Sequence, residues 1–305
     1  MILVALAVVA AAAFGIVCEH RARARAARYS RNALGVMLYV LVPFVSFVNI
    51  ARLHLSSGGG VGLIGAYVAI GTAGGIAWAI GRFVMRLPRP TLGAIILCVI
   101  VVNTGYLGLP MTVALLGTSH LGSAVAYDQI VSGPMLLTVG FGIGAAFGRS
   151  AGATARARLR AFLTRNPPLL AVIAGLIAPA SLAPTALVRA SHIVVIALLP
   201  LGFFVVGVNL SAERREDAAP LLELPDRRVV LAVVLRLAGA PLMLALISAA
   251  IVKLPTAYLL QAAMPTGINS LVVGHAYGLD QRLIATIIVW STATVLVAGL
   301  VIALL

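Results

Sequence analysis

The chain has 305 residues, of which 62% are hydrophobic and 10% charged, and its formal net charge is +14. Soluble domains carry roughly 45 to 50% apolar and about 25% charged residues, so an ordinary water-soluble enzyme or binding domain is excluded. The positive charge sits in short arginine patches between apolar runs, where it sets membrane topology and does not build a phosphate-reading surface, so no nucleic-acid partner is expected.

Windows of about 20 residues, long enough to cross the hydrocarbon core, predict ten spans: 2–18, 33–51, 61–80, 91–117, 121–148, 168–181, 186–210, 229–252, 255–277 and 283–304. The first lacks a basic region before it and reads as a retained span, not a secretory signal. Pro179 and Pro184 crowd the end of the sixth, the shortest. The connections after odd-numbered spans hold eighteen of the 22 Lys and Arg, and those after even-numbered spans hold only Arg52, Arg189 and Lys253. This asymmetry predicts a multi-pass protein of the plasma membrane (a bacterial inner membrane) with odd connections in the cytoplasm and both termini outside.

Spans four and nine are interrupted. Asn103-Thr-Gly-Tyr-Leu-Gly-Leu-Pro110 lies in the middle of the fourth, and Ala263-Met-Pro265-Thr-Gly-Ile-Asn269-Ser270 in the ninth. Non-helical backbone at membrane depth is tolerated only where it is buried in protein or lines a cavity. Paired breaks in the two halves of a chain point to the binding site of a secondary transporter. Pro43 and Pro200, in spans two and seven, are 157 positions apart, and Pro110 and Pro265 are 155 apart. Phe47 and Phe204 each follow the first pair by four residues. The fold predicted is an all-α polytopic membrane protein of ten transmembrane helices, arranged as two inverted five-helix repeats with broken, crossing helices four and nine. Residues 1–148 form the first repeat, 149–167 a basic cytoplasmic linker and 168–305 the second. The stretch from Ala212 to Arg228 mixes acids and arginines and reads as a solvated cytoplasmic element.

At each break a restarting helix presents unpaired N–H groups and a positive dipole end, which suit an anionic group. Pro110 and Pro265 fit a first helical turn, where the missing donor is not needed. Gly105, Gly108 and Gly267 allow unwinding and close helix approach. Asn103, Thr104, Asn269 and Ser270 supply neutral donors and acceptors, either for a substrate or for backbone groups freed by the breaks. Asp128, in span five, is the only acid inside a predicted span; it is a candidate for ion coupling, by proton or sodium, or for a structural hydrogen bond. Arg236, in span eight, is either a snorkelling side chain or a charge partner for a substrate carboxylate. Gln261 and Tyr106 are weaker polar candidates. Cys18, Cys98 and the five histidines show no metal-ligand spacing, so neither a metal nor a cofactor is expected.

The two interrupted motifs, together with Asn166-Pro-Pro168 and Ala276-Tyr-Gly-Leu-Asp280, resemble the auxin efflux carrier family of plant PIN proteins and bacterial permeases, related in fold to bile acid sodium symporters. The resemblance runs along the whole chain. It implies a scaffold of spans one, two, six and seven, often a homodimer interface between lipids, and a transport domain of spans three to five and eight to ten. Elevator-like motion would carry a small organic anion, auxin-like or malate-like, at a crossover mapping onto Asn103, Pro110, Pro265 and Asn269. The chain lacks the long central loop of plant members and offers few acids for a sodium site. A carboxylate receptor without flux and a membrane enzyme acting on lipid-linked substrates are the alternatives; the absence of an acidic metal cluster in the sequence disfavours the enzyme.

Overall fold

A computed structural model describes residues 2–51, 60–149, 160, 167–217 and 225–304. Arg52, His54, most of the linker with Asn166, and residues 218–224 lie outside the described residues, as do the side chains of Tyr106, Pro110, Pro168 and His192. Every named element is helical. The sole β-type contact among the described residues is an isolated antiparallel bridge between Val102 and Thr266.

In chain order, α1 covers Ile2–Val36 and continues through a π turn, Met37–Leu41, into α2, Val42–Ala51. The apolar helix Val9–Val48 has 40 residues, which at 1.5 Å each would run ~60 Å, twice the ~30 Å of a hydrocarbon core. Ala22 leaves helical geometry (φ −148°, ψ 55°), so two helices meet there. The π turn precedes Pro43, whose missing N–H breaks the regular ladder. Next, α3 is Gly60–Ala79, extended by Ile80–Val84, and α4 is Arg89–Ile100. After a gap and a π turn at Thr104–Gly108 comes α5, Leu109–Leu116. Span five is built from α6, Leu121–Tyr127, two π segments at Asp128–Ser132 and Met135–Gly140, and α7, Phe141–Phe147.

The second half begins with α8, Pro167–Ile177, and α9, Thr185–Asp217. Helix α9 continues to Asp217, into the start of the acidic–basic stretch. Span eight combines α10, Arg227–Val234, a π turn at Leu235–Gly239 and α11, Ala240–Ala250. Two short helices follow, α12, Thr256–Ala262, and α13, Asn269–Tyr277; the last is α14, Gln281–Leu304.

Among the described residues, five helical stretches are long and apolar enough to cross a membrane: Val9–Val48, Gly60–Val84, Ser123–Phe147, Arg227–Ala250 and Gln281–Ile302. Of the remaining predicted spans, the seventh lies in α9, a continuous helix of 33 residues, and the others correspond to interrupted helices or to shorter ones; α8, at 11 residues, would reach only ~16 Å. Large apolar side chains such as Phe14, Ile64, Phe83, Leu246 and Ile251 face outward, whereas soluble monomers rarely expose wide apolar patches.

The packed centre is α4, whose residues from Thr91 to Ile100 are all buried. A helix apolar all round belongs in a core, and α3, α7, α10 and α14 surround this one. Helix α1 packs along α9, and α2 against α8. The α1–α9 approach is close: a Cβ on Gly15 would lie 2.3 Å from the Phe204 carbonyl oxygen, and one on Gly207 2.0 Å from that of Ala12. At the end of this contact the Ser211 hydroxyl donates to the buried Glu19 carboxylate at 2.6 Å. Asp226 caps α10, accepting from the N–H groups of Arg228 and Val229 at 2.9 Å each. Partial burial works against its charge, but the Val229 N–H and the Arg228 side chain outweigh this and hold the carboxyl below its ordinary range.

Candidate functional site

The breaks in the two halves are joined by main-chain atoms. Helix α4 stops at Ile100, Val101 is extended (φ −84°, ψ 115°), and Asn103 caps the restart, its Oδ1 accepting from Leu107 N–H at 3.3 Å. Opposite, α12 ends at Ala262 and α13 starts at Asn269. The Asn103 N–H donates to the Pro265 carbonyl at 2.8 Å, and the Gly267 N–H to that of Val101 at 2.9 Å. A Cβ on Gly267 would sit 3.0 Å from the Val102 carbonyl oxygen, and one on Gly108 2.1 Å from Gln261 Oε1. Glycine therefore sets how closely the segments cross.

Pro110 stands in the first turn of α5, as expected, whereas Pro265 does not open a helix. The first break precedes Asn103, and Pro110 falls after a complete π turn, at the start of α5. Pro265 lies four residues before α13 and serves through its carbonyl. Asparagine supplies the first cap because its side-chain oxygen can take the orphan N–H of a restarting turn.

A cavity of about 180 Å³ opens beside the crossing. Asn103, Thr104, Gly105, Gly267 and Asn269 contribute from the breaks, Asp128, Gln129 and Ser132 from span five, and Val42, Val45 and Ser46 from α2. Of the expected site residues whose side chains are described, Pro265, Ser270 and Arg236 do not line it. Sequence reasoning missed Ser46, Gln129 and Ser132. Ser46 stands as a polar residue within an apolar run and could have been found; the other two share a π segment with Asp128 that no sequence pattern announces.

The polar groups of the cavity fall into two sets. Thr104 Oγ1 donates to Asp128 Oδ1 at 2.5 Å and Gln129 Nε2 to Oδ2 at 3.0 Å. A Cβ on Gly105 would lie 3.3 Å from Asp128 Oδ1, so the carboxylate rests directly on the broken helix. Asn103 Nδ2, Asn269 Oδ1 and Ser132 Oγ are buried without a protein partner. Buried polar atoms are generally paired, and these three belong to residues that line the cavity.

Arg236 is fully buried behind the crossing. Its Nη1 donates to the Val99 carbonyl at 2.7 Å and its Nη2 to that of Ala262 at 2.5 Å. A snorkelling side chain would reach the interface; this one stays inside because two helix ends hold it.

The model for a family described as membrane transport protein matches residues 4–150 and 158–303, nearly the whole chain in two blocks. This chain belongs to that family. An uncharacterized transporter of Methanocaldococcus jannaschii is 25% identical over 279 residues, covering 87% of this chain and 86% of that protein. The resemblance to auxin efflux carriers is thus placed in a family of membrane transporters, and the chain is a multi-pass membrane protein.

Proposed function

We propose that this membrane transport protein carries small organic anions, auxin-like or malate-like carboxylates, by alternating access at the crossing of its broken helices. The observation that carries this reading is the cavity, in which unpartnered amide atoms of Asn103 and Asn269, one from each half of the chain, lie at one crossing. At ~15 Å³ of such space per water, 180 Å³ suits a guest of about a dozen non-hydrogen atoms. Two inverted five-helix repeats explain why paired breaks meet at one depth. An elevator motion would slide the crossing past α2, which forms the far wall, with α1, α2, α8 and α9 as the stationary scaffold of a homodimer.

Among the described residues, Asp128 is the lining's one ionisable side chain. A bound anion ~6 Å from its carboxylate would be repelled by about 3 kcal/mol at an effective dielectric of ~20, so anion binding and protonation of Asp128 favour one another. In the bacterial inner membrane with both termini outside, export of a monoanion gains about 2.3 kcal/mol per 100 mV. That is a roughly fifty-fold gradient, enough for uniport. Uptake of a dicarboxylate needs a coupled cation, and Asp128 is positioned to bring a proton.

The test is flux of labelled carboxylates into proteoliposomes, with and without a pH gradient, for wild type beside Asn103→Ala. Flux that requires Asn103 supports the carrier. Saturable binding without flux would replace it with a receptor.

A further inference from the structure

Two helices end against Arg236, and their carbonyls make the case. The last four carbonyls of an α-helix have no partner within it. In α4, Leu97 O accepts from Val101 N–H, Cys98 O from Thr266 Oγ1 at 2.8 Å and Val99 O from Arg236. In α12, Leu259 and Leu260 share the Ala263 N–H, Gln261 O takes the Met264 N–H, and Ala262 O takes Arg236. One guanidinium thus closes two half-helices from opposite halves of the chain. Each C-terminus carries a partial charge near −0.5, so together they offer about −1 against the +1 of the arginine. Among the described residues no carboxylate forms an ion pair with Arg236.

Half-helix C-termini and unwound carbonyls at a midplane break are the groups that hold coupling cations in secondary transporters. A fixed cation already occupies them here. The π turn Leu235–Gly239 sets Arg236 into the crossing from span eight, and π turns recur at functional positions. We infer that Arg236 is a tethered cation filling the place of a free coupling ion, so that the crossing is held together, and transport proceeds, without sodium. The flux half of this inference rests on the carrier reading above; the cation-site half does not.

Thermal melting of the full chain in detergent, in equimolar sodium or choline chloride, tests the site without any substrate. Wild type should melt alike in both, and stabilisation specific to sodium would overturn the inference. Arg236→Ala should melt lower and recover with low-millimolar guanidinium, a probe of the vacated position, more than wild type responds. Equal responses would overturn it. Should the alanine variant not fold, Arg236→Lys keeps the charge but cannot bridge both carbonyls with a planar fork; it should melt lower, yet equally in sodium and choline, and a sodium preference would count against the inference. In proteoliposomes, wild-type carboxylate flux should be unchanged by sodium removal. Arg236→Ala flux should fall about tenfold or more, as hydrogen bonds from a charged group are each worth a decade or so, and become dependent on added sodium or guanidinium. A purely structural arginine would not create that dependence. Cation-specific melting with no carboxylate flux would leave the site standing and remove the carrier reading.

Discussion

Asn103 combines two tasks that substitution can separate. Its Oδ1 caps the restarting helix through Leu107 N–H, and its Nδ2 has no protein partner in the cavity wall. Alanine removes both groups, whereas serine, an equally good N-cap, keeps an acceptor and loses the amide donor. Loss of a cap costs about 1 kcal/mol, or roughly 2 °C in melting temperature for a chain of this size. Loss of a hydrogen bond to a charged carboxylate costs about 1.5 to 3 kcal/mol, a roughly 10- to 150-fold rise in KM. Asn103→Ala should therefore show both deficits, and Asn103→Ser only the second, in parallel melting and concentration-dependent flux measurements. A serine variant with wild-type KM would refute the assignment of Nδ2 to the substrate.

Three further outcomes are expected. Asp128→Asn removes the cavity's titratable group, so flux should lose its response to an imposed pH gradient while Thr104 keeps an acceptor; an unaltered response would exclude Asp128 from coupling. Gly207→Val drives a side chain into the Ala12 carbonyl, where a Cβ would lie 2.0 Å away, and should cost about 1 to 3 kcal/mol, read as a lower melting temperature without a change in the KM of the remaining folded protein. Asp226→Ala removes the α10 cap and about 1 kcal/mol. Because the native carboxyl titrates below its ordinary value, its contribution is complete above the unfolded value near 4 and fades as pH falls through the native one. The melting gap between wild type and Asp226→Ala should thus be open at neutral pH and close in acid.

Much of this architecture can be read from the chain, for reasons that also mark where reading fails. The second break is legible because Pro265 and Gly267 stand together in an apolar run, and both serve there through backbone atoms. The first is displaced: Pro110 draws attention, yet the helix opens at Val101 to Asn103, where Gly267 and Pro265 hold it from the other half. Asp128 is conspicuous as an acid in a span, but its companions Gln129 and Ser132 reach the cavity through a π turn that shifts which face they occupy. Arg236 is equally conspicuous, and its task is hidden because its acceptors are carbonyls 137 and 26 residues away. Backbone acceptors leave no trace in residue type. The α2 wall is missed for a similar reason, since valines in a membrane helix look the same facing lipid or a cavity.

The join between the breaks consists of N–H groups, which every residue but proline possesses, and C=O groups, which every residue possesses. Apart from the space reserved by Gly267 and Gly108 and the bonds that Thr266 and Arg236 give to helix-end carbonyls, the fastening is indifferent to side-chain identity, while the cavity beside it takes its polar character from other side chains. Fastening and selectivity are therefore separately mutable. A lineage could exchange Ser46, Gln129 or Ser132 and arrive at a new cargo with the moving part intact.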